Sequence, residues 1–225
     1  MQISGTWRLI SRVFLPFAAG YYLSYLYRTI NALIASHLSS DTALGTADLG
    51  LLTSVYFLIF AAAQIPVGIL LDRFGPRRVQ SVLLLLAAAG AGLFAISTGF
   101  LSLLIARAMI GLGVAAALTA GLKSIVLWFP RERVALLNGY MIMLGSLGAV
   151  TATVPVEYLL AWMSWRQLFE ILAAATGATA KNVHELPGGN YRLAPLQDLR
   201  QPHQRRQAVA GAADETGLAP QHVEF

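Results

Sequence analysis

Two arginines stand where charge is costly. Arg28 lies inside an apolar block running from about residue 13 to 37, and Arg107 lies inside another from about 100 to 128. A charged side chain at the centre of a bilayer costs about 2.5–3.5 kcal/mol on insertion scales, so it turns to a cavity or a partner. With a helical rise of about 1.5 Å per residue, Arg28 falls roughly 24 Å beyond Arg12, and Arg107 roughly 10 Å inward from Phe100. If the two blocks cross in opposite directions, both guanidinium groups lie at similar depth. Tyr21, Tyr25, Arg28 and Ala32 share one helix side, with Ser24 and Asn31 beside them. Tyr56, Phe60, Gln64 and Gly68 form a similar row in another block, which Pro66 is expected to bend. Such rows are expected to face a bundle interior rather than lipid. The candidate cavity-facing residues are therefore Arg28, Arg107, Tyr21, Tyr25, Asn31 and Gln64.

The elements that must hold these residues follow from composition. Of 225 residues, 56% are hydrophobic and 12% charged. Soluble domains carry about 25% charged residues, so much of this apolar surface must face something other than water. Five blocks, near 13–37, 49–71, 79–97, 100–128 and 134–161, reach the length of about 20 residues that a crossing needs. A sixth, near 168–180, offers roughly 13 suitable residues, too few to cross alone. The chain reads as an all-α membrane protein, a transmembrane helix bundle of five complete spans and a partial sixth, with the lipid bilayer as its solvent. The first block is too long for a signal peptide, is interrupted by Arg28 and has no small-residue cleavage site after it.

Basic residues set the orientation. Arg8, Arg12, Arg73, Arg77, Arg78, Arg131 and Arg133 fall on one side, with Lys123 near them, while 39–48 and Thr98–Gly99 carry no Lys or Arg. The positive-inside rule then places the N-terminus in the cytoplasm, in a bacterial cytoplasmic (inner) membrane, with Arg166 as the exception. The net charge of +5 is spread in short clusters between apolar blocks, which argues against nucleic acid as a partner. From Lys181 onward the text turns polar and holds four of the nine prolines and three of the four histidines. This tail, 181–225, is expected to be disordered. Alternatively it is read from a shifted frame after a sixth span was cut short.

Other chemistry is thinly supported. With no cysteine, disulfides, thiolate metal sites and cysteine nucleophiles are excluded. Gly111-Leu112-Gly113-Val114-Ala115-Ala116 fits a dinucleotide-binding pattern but lies within an apolar block with no strand before it, so helix packing through small residues is expected. Gly121-Leu122-Lys123-Ser124 has the wrong spacing for a phosphate loop, and Lys123 reads as a basic anchor near the cytoplasmic surface. His184, His203 and His222 are widely spaced, so no metal site is expected. No acid/base pair or nucleophile stands out, so no enzyme and no cofactor are expected.

The segment Gly68-Ile69-Leu70-Leu71-Asp72-Arg73-Phe74-Gly75-Pro76-Arg77-Arg78 joins the second and third blocks. Gly68 would let another helix approach, Gly75-Pro76 would turn the chain, and Arg77 and Arg78 would hold the turn on the cytoplasmic side. This segment resembles the signature between the second and third helices of the major facilitator superfamily (MFS), matching at Gly68, Asp72, Arg73, Gly75, Arg77 and Arg78 and departing at Pro76. Arg107-Ala108-Met109-Ile110-Gly111-Leu112-Gly113 resembles that family's fourth-helix motif, and Trp165-Arg166-Gln167-Leu168-Phe169 its motif after the fifth helix. The resemblance covers residues 1 to about 175 and implies the N-terminal half of an alternating-access secondary carrier. It implies that Asp72, with Arg73 and neighbouring basic residues, latches the two halves at the cytoplasmic side. It also places the first and fourth helices along the central cavity. Arg28 and Arg107 would then meet a small solute, an organic anion, with a proton or solute gradient as the coupling force. The family's fourth-helix Arg is also assigned to structure or proton coupling, so both roles stay open for Arg107. Gly145, Gly148 and Pro155 lack the order of the drug-antiporter glycine–proline motif, which favours uptake of a small anion. The family has twelve spans, so a missing C-terminal half is implied as partner. Two other readings remain open: a truncated, transport-inactive fragment, or a membrane sensor with a transporter-like fold.

Overall fold

In the computed structural model, the described residues are 10–42 and 44–186. They fall within the first of two compact units of the chain, Met1–Pro187. All regular structure among them is helical. A π-helical turn, Ile10–Phe14, leads into α1 (Leu15–Thr42). The second helix is broken into α2 (Thr46–Ala62) and α3 (Gln64–Phe74), bent by 44°. The third is α4 (Pro76–Ile96). The fourth is α5 (Phe100–Gly113) followed by α6 (Ala117–Trp128), and the fifth is α7 (Arg131–Thr151) followed by α8 (Val154–Leu160). The sixth is α9 (Trp165–His184).

Local chemistry explains the breaks. Pro66 has no N–H for the carbonyl four residues back, at Ala62, and the second helix bends beside that gap. The fourth helix slips into tighter i→i+3 bonds at Ala115 N→Leu112 O and Ala117 N→Val114 O. Gly75 turns the chain between α3 and α4 with φ at 80°, a conformation open to glycine, and Pro76 follows at the helix start.

The sixth helix departs from expectation. It is a 20-residue helix that runs past the expected boundary at 180 to His184, and, as expected, it is not among the described helices apolar enough to cross a membrane. Ser164 caps its start, and Gln167 bonds back to the Ser164 N–H. Leu168, Leu172, Thr176, Thr179 and Val183 recur at helical spacing and are buried. A count of lipid-compatible residues underestimates this helix because its inner face packs on protein, against α4 and α1. The rest of the expected tail, from residue 187, lies outside the described residues.

Among the described residues, three helices or helix pairs are long and apolar enough to cross a membrane: Pro76–Ile96, Phe100–Trp128 and Arg131–Leu160. The bent second helix counts as a fourth. The first and sixth carry buried polar groups such as Ser24, Asn31, Thr176 and Thr179 on the faces they turn to the bundle. The first helix packs against α6, α7 and α9, α4 packs against α5 and α9, and α2 packs against α5. The second and fifth helices leave large apolar side chains uncovered, among them Leu58, Ile65, Ile142, Val154 and Trp162.

Candidate functional site

Arg28 sits on α1, half-buried, facing α2. Its guanidinium carbon lies 5.0 Å from the Tyr25 ring centroid, 5.0 Å from Phe60 and 5.8 Å from Phe57. Among the described residues no carboxylate pairs with it. Its Nε is buried with no hydrogen-bond partner, and so is the hydroxyl of Tyr56 on the facing helix. Aromatic faces attract the cation, by about 2 kcal/mol when desolvated, but they accept no hydrogen bonds along the guanidinium fork. The group is held in place with no carboxylate to pair its charge and with the Tyr56 hydroxyl as its polar neighbour. Tyr25 is also packed edge-on to Tyr21, with ring centroids 5.1 Å apart. Tyr21 itself is buried against Gly145 of the fifth helix.

Arg107 meets a different environment. It is 1% exposed. Its guanidinium lies 4.5 Å from the Phe94 centroid and 5.5 Å from Phe169, and Nη2 donates to Asn31 Oδ1. Asn31 Nδ2 donates in turn to Thr53 Oγ1 at 2.5 Å, and Thr53 donates to the Leu49 carbonyl. Tyr56 interacts electrostatically with both arginines. The structure thus brings Arg28, Arg107, Tyr25 and Asn31 to one region of the bundle, but only Arg28 and Tyr25 reach its surface. Arg107 and Asn31 form a joint among the first, second and fourth helices. Gln64 lies apart from them and bonds to backbone: its Nε2 donates to Phe60 O at 3.1 Å and to Ala115 O at 3.4 Å.

At the other end of the second helix, Asp72 pairs with Lys123, Nζ to Oδ1 2.6 Å, and Lys123 also donates to the Leu71 carbonyl at 2.9 Å. Sequence reasoning took Lys123 for a surface anchor and looked for the Asp72 partner among nearby arginines. Arg73 instead lies over the Phe74 ring, and Arg78 is exposed. Arg77 reaches across to donate to the Leu186 carbonyl, just beyond the end of α9. No helix approaches Gly68 here; a Cβ added to it would meet nothing within 4 Å. The expected close contact at that glycine is therefore absent within the described residues.

The Trp165–Phe169 motif fastens the opposite end. Trp165 Nε1 donates to Asp41 Oδ2 at 2.7 Å, closing α9 on the first helix. Arg166 donates to the carbonyls of Ala95 and Ser97, at 2.8 and 2.6 Å, at the C-terminal end of α4. Free carbonyls and the helix dipole make that end negative, which gives this arginine a place on the side otherwise poor in basic residues.

An all-helical membrane bundle, with a charged turn at one end, an aromatic fastening at the other and guanidinium groups between, defines the class: a polytopic integral membrane protein. The sequence pattern of the Major Facilitator Superfamily matches residues 17–183, and the chain belongs to that superfamily. It is 27% identical over 156 residues to a probable sulfoacetate transporter of Cupriavidus necator, a match covering 69% of this chain and 36% of that one. It is 29% identical over 168 residues to the hexuronate transporter of Escherichia coli K12, covering 75% of this chain and 38% of that one. In three dimensions it resembles the crystal structure of a bacterial homolog of the human lysosomal transporter Spinster, in an inward-facing and occupied conformation. That match has a TM-score of 0.70 and 21% identity and covers 83% of this chain and 47% of the other. The chain therefore spans between a third and a half of the length of these three proteins.

Proposed function

We propose that this chain forms one six-helix half of a secondary carrier and that Arg28 is its contact for a small organic anion. The observation that carries the reading is the state of Arg28: a half-buried guanidinium ringed by Tyr25, Phe57 and Phe60, with no acidic partner among the described residues and an unused Nε. Arg166 spends its donors on backbone carbonyls and Arg107 is sealed in the core, whereas Arg28 is half open and has only the Tyr56 hydroxyl as a polar neighbour. The names of the relatives, sulfoacetate and hexuronate transporters, fit an anion of this size. In this reading a second six-helix half closes the cavity and Asp72 serves the cytoplasmic latch. A proton or a solute gradient drives the cycle. The N-terminus faces the cytoplasm in a bacterial inner membrane.

The test is anion binding by the purified chain in lipid nanodiscs, measured by calorimetry with glucuronate and with sulfoacetate. A hydrogen bond to a charged group contributes about 1.5–3 kcal/mol, so Arg28→Gln should weaken binding roughly ten- to hundred-fold. Arg28→Lys, which keeps charge but loses the planar fork, should fall between. Equal affinity for both anions in the wild type and Arg28→Gln would sink the assignment.

A further inference from the structure

Gln64 stands at the break in the second helix, and its two hydrogen bonds are unusual in direction. One goes back to Phe60 O, in the turn that the break disturbs. The other crosses to Ala115 O, inside the break of the fourth helix. A side-chain amide carries two N–H donors and so serves both carbonyls. Carbonyls in a broken stretch of a membrane helix need outside donors, because lipid offers none. The two breaks thus lie side by side and share one amide.

The segments on either side of the breaks are also tied in pairs. On one side, α2 and α5 meet backbone to backbone: a Cβ on Gly111 would come within 2.6 Å of the Tyr56 carbonyl oxygen. On the other side, α3 is tied to α6 by Lys123, which bonds both Asp72 and the Leu71 carbonyl. Of these inner segments, α6 is embedded against the first, third and fifth helices, while α3 packs on α4 and is exposed along Ile65, Ile69 and Phe74. The exposed segment needs a fixed reference, and the embedded one supplies it.

We propose that Gln64 is a positioning residue: it pins the bend of the second helix to the break of the fourth and thereby aims the Asp72 end of α3 at Lys123. The role needs no solute at Gln64 and stands apart from the anion reading of Arg28. Through it, any change in the fourth helix at Val114–Ala116 is passed to the charged turn at residues 72–78.

The chain has no cysteine, so spin labels can be placed without background. One pair, Phe74→Cys with Leu136→Cys, reports the inner end of α3 against the start of α7; a second, Leu51→Cys with Leu101→Cys, reports the outer ends of α2 and α5. All four positions are exposed. Distances are measured by pulsed electron paramagnetic resonance on the full chain in nanodiscs. Gln64→Leu keeps bulk and removes both donors. From the 11-residue length of α3 and its 44° bend, releasing the brace frees its tip to move by up to about 10 Å. The expected result is a broadened and shifted 74–136 distribution with the 51–101 distribution unchanged. Gln64→Asn, whose amide is one methylene too short, should resemble Gln64→Leu. Unchanged 74–136 distances in Gln64→Leu would overturn the proposal. So would equal broadening of both pairs, which marks general loosening rather than positioning.

Discussion

Arg28 and Arg107 enter the apolar layer at similar depth in the sequence, yet the structure treats them as opposites. Arg107 is closed in by two phenylalanines and an asparagine and belongs to the joint between helices. Arg28 is ringed by aromatic groups but half open, with no carboxylate beside it and the Tyr56 hydroxyl as its polar neighbour. The difference teaches that depth follows from residue counting, whereas the direction a side chain faces is set by the neighbours that pack on it. The fourth helix lies against both α2 and α4, so its arginine has protein on every side. The first helix turns Arg28 toward the second helix, which is among the least covered in the bundle.

The largest effect expected from this contrast lies in stability. Arg107→Ala would open a void beside Phe94 and Phe169 and leave Asn31 Oδ1 without its donor. Void and orphaned acceptor together should cost about 3–4 kcal/mol. Thermal unfolding of the detergent-solubilised chain reads this directly. Arg28→Gln under the same conditions should change stability by less than about 1 kcal/mol, because its contacts are cation–π and partly exposed. Equal losses for the two variants would erase the distinction between a joint and an open contact.

A second, smaller effect tests how Arg107 comes to be enclosed. One turn further along, Gly111 lets α5 meet the backbone of α2 at Tyr56. Gly111→Ala puts a methyl group 2.6 Å from a carbonyl oxygen, closer than such atoms approach, so the two helices must separate. Overpacking of this kind costs about 1–3 kcal/mol. It should also loosen the Asn31–Thr53 contact, seen as faster proteolysis within α2. Full wild-type stability in Gly111→Ala would mean that the second helix is not held there, and that Arg107 owes its burial to the third and sixth helices alone.

Much of this was legible in the residues. Apolar blocks with breakers between them gave helix number and order, and the Gly68–Arg78 segment and the Trp165–Phe169 motif pointed to the superfamily that residues 17–183 match. What escaped depends on contacts between distant positions. Gln64 reads as a path residue by its spacing from Tyr56 and Phe60, but its partner is a carbonyl 51 residues away, freed by a break with no proline to announce it. Lys123 reads as an anchor because charge near a membrane edge needs no partner, yet it bonds Asp72. The sixth helix reads as short because the sequence turns polar from Lys181, although Thr176 and Thr179 within it are buried against protein. Thr176 bonds Tyr27 across the core at 2.9 Å. Hydropathy measures fitness for lipid, and this helix is fitted to protein.

The smallest effect belongs to Asp72, which the superfamily resemblance makes prominent, and to the partner that the structure gives it, Lys123. Asp72 and Lys123 are 2.6 Å apart, but the Asp72 side chain is 83% exposed. Water and salt screen such a pair, and exposed ion pairs contribute about 0–1 kcal/mol. Asp72→Asn should therefore leave the unfolding temperature of this chain nearly unchanged, and added salt should shrink even that difference. This sets the pair against Arg107: one charge is sealed in and holds helices together, while the other is left at an edge where a second body can reach it. A latch between halves requires an aspartate whose contacts inside its own half are weak enough to exchange. A loss above about 2 kcal/mol in Asp72→Asn, beyond what an exposed pair supplies, would show that the carboxylate is spent on holding this half together. It would then have little left to offer a partner.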